Sequence, residues 1–208
     1  MLGNKRKCKS SYHVGTLAME KPNVSSILAT LKVVTKQKDL QKGILMHDEL
    51  LKTGLIENNI YVGTQFITFY ARCGELVKGK NVFDLILVRN IVSWTALMGG
   101  YNQHELYEES IHCFEQMQQE CMIPNNTTFA NMLSSCAKHT GKRALCKGLR
   151  LHAQSMYNNA DSGVVVHTSL ISMYNKCGQF LDACGVFDTM LIRDTVAWNA
   201  MLAAIVMQ

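Results

Sequence analysis

Two windows of this 208-residue chain, 104 residues apart, carry nearly the same residues, and that repetition constrains the fold more than any single motif. Tyr70, Cys73, Gly74, Val82, Phe83, Asp84, Arg89, Val92, Trp94 and Ala96 return as Tyr174, Cys177, Gly178, Val186, Phe187, Asp188, Arg193, Val196, Trp198 and Ala200. A second pair of windows repeats at 105 residues: Leu28, Thr35, Leu40, Lys42, Gly43 and His47 return as Leu133, Thr140, Leu145, Lys147, Gly148 and His152. A chain self-similar in this way folds as stacked copies of one small unit, because a single unit cannot bury its apolar face alone.

A finer period identifies the unit. Gly63, Phe66, Ile67 and Tyr70 are spaced i, i+3, i+4, i+7, and the stripe recurs as Trp94, Leu97, Met98, Tyr101, then His167, Leu170, Ile171, Tyr174, then Trp198, Met201, Leu202, Ile205. Each is one face of an amphipathic helix. The steps between stripes are 31, 73 and 31 residues, and Pro124 divides the 73 into units of 35 and 38, with Phe129, Met132 and Leu133 opening a further stripe. A second stripe follows a short break in each unit: Val82 and Phe83 after Cys73-Gly74, Ile111, Phe114 and Met117 after Gln103-His104, Val186 and Phe187 after Cys177-Gly178. The pattern predicts an all-α solenoid of helix-turn-helix repeats. Pro22 and Pro124, the two prolines, both fall at inferred unit boundaries. The longest apolar run, Ala200 to Met207, is too short to span a bilayer, so no membrane partner is expected.

The string from Tyr70 to Asn90, with its Tyr-Ala-Arg-Cys-Gly start and its Val-Phe-Asp, is followed by Ile-Val-Ser-Trp-Thr-Ala-Leu-Met-Gly-Gly-Tyr. These residues resemble plant pentatricopeptide repeat (PPR) proteins of the PLS subclass, which mix three unit types. The resemblance implies a right-handed superhelical solenoid. On it, residues 21–59 form an L unit, 60–90 an S unit, 91–125 a P unit, 126–163 a second L unit, 164–194 a second S unit and 195–208 the first helix of another P unit, a partial array. Both L units carry about three added residues between their helices, around Lys36 to Lys38 and Lys142 to Ala144.

The resemblance further implies single-stranded organellar RNA as the partner, one nucleotide per repeat, with each base read by two side chains. The first is the fifth residue of a unit and the second is its last. These pairs are Thr64 with Asn90, Thr95 with Asn125, and Thr168 with Asp194. In the family, Thr with Asn goes with adenine and Thr with Asp with guanine; an amide offers a donor that a carboxylate lacks. The second residue of each unit is the apolar wedge between bases, here Tyr61, Val92 and Val165. Asn199 is the fifth residue of the last unit, and Ser25 and Ala130, the fifth positions of the L units, are expected to be silent. Apart from the resemblance, a Thr beside an apolar stripe reads as a solvated helix residue, and an Asn or Asp before a helix reads as an N-cap.

Charge adds a constraint. Lys5, Arg6, Lys7, Lys9 and Lys21 against Glu20 account for +4 of the net +5, which leaves the repeats nearly neutral. A sequence-blind phosphate binder would carry a strong basic excess. Either base contacts and a few lysines carry binding, or the chain alone is a weak binder, and weak binding is the expectation. Residues 1–20 are basic and lack acid until Glu20, in keeping with an organelle transit peptide or with the start of a fragment, and localisation to mitochondrion or chloroplast follows from the family.

The eight cysteines contain no C-x-x-C, which argues against a zinc ribbon or a redox pair. Cys73 and Cys177 read as packing residues. His47-Asp48-Glu49 matches half of the zinc deaminase signature, but the P-C-x-x-C half is missing, and its repeat-equivalence to His152 reads as a helix-surface histidine. No cofactor motif, metal site or catalytic set emerges, so no enzyme is expected. The resulting expectation is an RNA-binding specificity module for cytidine-to-uridine editing, with an editing deaminase or accessory protein in trans supplying the chemistry. The alternatives are a protein-binding helical-repeat scaffold and a non-functional truncated array.

Overall fold

Apolar stripes at helical spacing fold as helices here, and the residues between the stripes end them. The computed structural model describes residues 23–138, 142–158 and 163–206. Their helices are α1 (Val24–Gln37), α2 (Leu40–Lys52), α3 (Leu55–Asn58), α4 (Ile60–Cys73), α5 (Leu76–Leu85), α6 (Ile91–Gln103), α7 (Tyr107–Gln119), α8 (Asn126–Lys138), α9 (Lys142–Tyr157), α10 (Val164–Lys176), α11 (Phe180–Thr189) and α12 (Thr195–Val206). Among the described residues there is no strand, and no helix is long and apolar enough to cross a membrane.

The Cys-Gly breaks are helix terminators. Gly74 (φ 82°) and Gly178 (φ 74°) take the left-handed conformation, and the next amides, of Glu75 and Gln179, donate to the carbonyls of Tyr70 and Tyr174, both at 2.9 Å. This closes the last turn as a Schellman motif. The same closure ends α1 and α6, with Lys38 (φ 55°) and Glu105 (φ 61°) in place of glycine. The residues expected to lengthen the first L unit's turn do not do so. Lys36 and Gln37 extend α1, and only Lys38 and Asp39 join it to α2. The added length sits later, in a second helix of 13 residues followed by α3. In the second L unit, Lys142 to Ala144 form the first turn of the 16-residue α9, and residues 139–141 lie outside the described residues.

Two layers result. Helices α1, α4, α6, α8, α10 and α12 pack in succession as one row, and α2, α5, α7, α9 and α11 cover them as a second. The core between the rows contains Phe66, Phe69, Tyr70, Phe83, Trp94, Met98, Met117 and Phe129, all fully buried. Burying a large apolar side chain stabilises a fold by roughly 1.5–3 kcal/mol, so each unit's stability depends on its neighbours. Trp94 on α6 is 2% exposed, whereas its equivalent Trp198 on α12 is 52% exposed; α12 buries Ala197, Met201 and Ala204 instead.

The 105-residue repeat marks a tight joint. At Gly43 on α2 a methyl group would run into the Phe69 ring, and at Gly148 on α9 it would run into the Met173 side chain. One turn further, His47 Nδ1 lies 2.8 Å from the Tyr70 hydroxyl and His152 Nδ1 lies 2.8 Å from the Tyr174 hydroxyl. The sequence reading placed these histidines on the helix surface, but both are half-buried in the joint. Their partners lie 23 and 22 residues away, beyond the reach of any local pattern. Burial holds the His47 pKa below its usual value and pushes the Tyr70 hydroxyl up to about 12. Cys73 and Cys177 are partly buried against the core, and burial raises the pKa of both thiols.

Candidate nucleic-acid interface

Five of the six first-row helices, α1, α4, α6, α8 and α12, start at an Asn or Asp side-chain cap, whereas α10 starts at Gly163, which has no side chain to cap with. Asn90 Oδ1 accepts from the amides of Val92 (2.9 Å) and Ser93 (3.1 Å) at the start of α6. Asn125 Oδ1 accepts from the amide and the hydroxyl of Thr128, both at 2.9 Å. Asp194 Oδ1 accepts from the amide of Ala197 at 2.8 Å, at the start of α12. All three are N-caps, as the residue types alone suggest. In each case the cap occupies a single oxygen. Among the described residues, Nδ2 of Asn90, Nδ2 of Asn125 and Oδ2 of Asp194 have no partner, so each side chain keeps one polar atom unused by the cap.

The fifth residue of each helix lies one turn further on. Thr64 makes no hydroxyl hydrogen bond among the described residues, while the hydroxyls of Thr95 and Thr168 donate to the carbonyls of Ile91 (2.6 Å) and Val165 (3.0 Å). The second residues project outward: Tyr61 is 72% exposed, and Val92, Val165 and Val196 are more than half exposed.

The structure joins these residues unequally. A pocket of about 240 Å³ is lined by Tyr61, Thr64, Asn90 and Val92 together with Leu28, Lys32, Ile60 and Gln65, so the first predicted pair and its two flanking wedges meet. Thr95 and Asn125 are linked through the fully buried Thr128, whose hydroxyl lies 3.3 Å from that of Thr95. Thr168 lines a groove of about 480 Å³ with Ser134, Lys138, Ser172, Lys176 and Val196, but Asp194 is not among its lining residues. Ser25, read as a fifth residue, is the second residue of α1, because Asn23 caps that helix; the fifth is Leu28. Ala130 is the fifth residue of α8 and is buried.

Comparison with known proteins identifies the repeats. The sequence pattern of the PPR repeat family matches residues 89–138, and that of the PPR repeat matches residues 165–194. The chain is 33% identical over 182 residues to a chloroplastic pentatricopeptide repeat-containing protein of Arabidopsis thaliana, covering 88% of this chain and 29% of that protein. The chain carries pentatricopeptide repeats. A mitochondrial relative of the same plant is 32% identical over 172 residues, covering 83% of this chain and 24% of the relative. The chain therefore spans less than a third of the length of these two relatives. PPR10 solved in complex with an 18-nucleotide psaJ RNA element has the same fold, with a TM-score of 0.69 at 18% identity over 90% of this chain and 28% of PPR10.

Two features of this pentatricopeptide array are invisible to charge counting and to helical periodicity. The first is electrostatic. The six helices of the first row carry Lys32, Lys36, Arg72, Lys138 and Lys176 and no carboxylate at all. Every Asp and Glu of the described residues lies in the second row, in α3 or in the connections. Lys36, Arg72, Lys138 and Lys176 each occupy the thirteenth position of their helix, all exposed and, among the described residues, in no ion pair. Near-neutrality of the repeats hides one cationic face and one mixed face.

The second feature is a pair of arginine staples. Arg89 lies over the Phe83 ring, 4.7 Å from its centroid, and donates to the carbonyls of Phe83 and Asp84, both at 3.3 Å. Arg193 repeats this on Phe187 (4.9 Å) and the carbonyls of Phe187 and Asp188, both at 3.1 Å. Each guanidinium thus caps the C-terminus of a second helix. The Phe rings pack edge-on against Trp94 and Trp198, at 4.5 and 4.8 Å between centroids.

Proposed function

We propose that this chain binds single-stranded RNA sequence-specifically in a mitochondrion or chloroplast, as a specificity module for cytidine-to-uridine editing. The observation that carries the reading is the pocket uniting Thr64 and Asn90 between Tyr61 and Val92. A base stacked between the two wedges would present its edge to the Thr hydroxyl and to the free Asn amide. The same combination of fifth-residue Thr and cap side chain with one spare polar atom recurs at Thr95 with Asn125 and at Thr168 with Asp194. The thirteenth-position cations would face the phosphates, which relieves the difficulty posed by the low net charge of the repeats. The pentatricopeptide repeats and the RNA bound to PPR10 support the partner, and the chloroplastic and mitochondrial relatives support the compartment. Alternation of unit lengths supports the PLS subclass and through it editing, with a deaminase or accessory protein supplying the chemistry.

Three reading units specify the order 5′-A-A-N-G-3′ across residues 60–194, with the L unit skipping N. Competition binding against RNAs with each of the three bases exchanged tests this. Each exchange weakens binding by roughly 1–3 kcal/mol. Equal affinity for all the variants would refute the assignment of Thr64, Asn90, Thr95, Asn125, Thr168 and Asp194.

A further inference from the structure

The proposed reading requires the last residue of a unit to stand in a fixed place beside the fifth. In the pair α4–α5 that residue, Asn90, ends a five-residue non-helical connection, 86–90, whose Leu87 and Val88 side chains are exposed. The connection is held at its start, where Ile86 is buried and the Ile86 and Leu87 amides donate to the carbonyls of Phe83 and Glu57. At its end, among the described residues, Arg89 is the one side chain that ties it down before the cap, and it also reaches Glu120 Oε1 at 3.4 Å. The 190–194 connection is built alike, with Met190 buried at its start and Arg193 stapled at its end. The 120–125 connection has a buried Pro124 directly before Asn125 where the other two have arginine. A proline ring fixes φ without any side-chain contact.

We infer that Arg89 and Arg193 are positioning residues for base selection: each staples its connection to the preceding second helix and so fixes the side chain of Asn90 or Asp194 that the proposed function assigns to base reading. The inference rests on that function. A guanidinium suits the role because its planar fork can lie flat on the Phe ring while donating to two successive carbonyls, which a lysine ammonium on a flexible stem cannot match. Loss of the staple leaves Asn90 or Asp194 held by the helix amides alone, so the residue shifts with the released connection and the base edge meets it in several positions.

The test uses the 208-residue chain with Arg89→Lys and Arg89→Met, the first keeping the charge and the second most of the apolar stem. The ratio of affinities for adenine and guanine is measured at the nucleotide assigned to Thr64–Asn90 and at that assigned to Thr95–Asn125. The expected result is a ratio reduced at least about threefold at the first nucleotide in both variants, out of the discrimination that one base contact supplies, with an unchanged ratio at the second. Overall weakening with both ratios intact would show a merely structural arginine and overturn the inference. Recovery in Arg89→Lys would show that charge and not fork geometry matters, and would overturn it equally. A parent chain with no preference at the first nucleotide would instead overturn the reading on which the inference rests.

Discussion

In the proposed function Asn90, Asn125 and Asp194 each serve fold and ligand together. The oxygen that caps the helix is fixed by backbone amides, so the remaining atom is the variable part: an amide nitrogen in the two asparagines and a second carboxylate oxygen in Asp194. Replacing Asp194 by Asn leaves the cap oxygen and exchanges an acceptor for a donor. The expected outcome is a shift of that unit from guanine toward adenine in competition binding, with thermal stability changed by less than about 0.5 kcal/mol, since the two residues cap about equally well. Unchanged base preference would leave Asp194 as a cap alone. The role of Asn90, Asn125 and Asp194 as caps was legible in the sequence because a register repeated three times placed a cap-type residue before a helical stripe. Lys36, Arg72, Lys138 and Lys176 were not, because a net charge sums over faces that the fold separates. The His47–Tyr70 bond was not legible either, since it joins two units.

The elements meet through size as much as through apolar character. Gly43 and Gly148 lie where a second helix crosses the first helix of the next unit, against Phe69 and Met173. Gly43→Ala adds one methyl to this joint and is expected to destabilise the chain by about 1–3 kcal/mol, the usual range for overpacking. A helix interior otherwise gains from alanine, so a stabilised variant in thermal unfolding would show that the joint is slack. Phe69→Leu in the same chain recovers part of the loss if the clash is its cause. The helix-turn-helix order was readable from apolar spacing and from the Cys-Gly breaks. The place of the added residues in the first L unit was not, because Lys36 and Gln37 suit a helix as well as a turn and the left-handed Lys38 carries no glycine to announce it.

At the scale of the whole molecule, two stacked rows divide the labour: one row carries cations without carboxylates, and the other carries the acids. The salt dependence of RNA binding should reveal this division. Exchanging Lys36, Arg72, Lys138 and Lys176 for Gln is expected to lower the slope of log affinity against log salt by about 0.7 per cation removed, the single-strand value. Exchanging Lys42, Lys52 and Arg150 of the second row should leave the slope unchanged. Equal effects from the two sets would show binding without a preferred face. The cap geometry has a wider consequence for such an array. If the letter read by a unit depends on the atom that the cap leaves over, one codon change at Asn90, Asn125 or Asp194 rewrites a letter without weakening the helix it starts. Target sequence can then drift one position at a time through variants that all fold, so the solenoid is free to evolve its specificity separately from its stability.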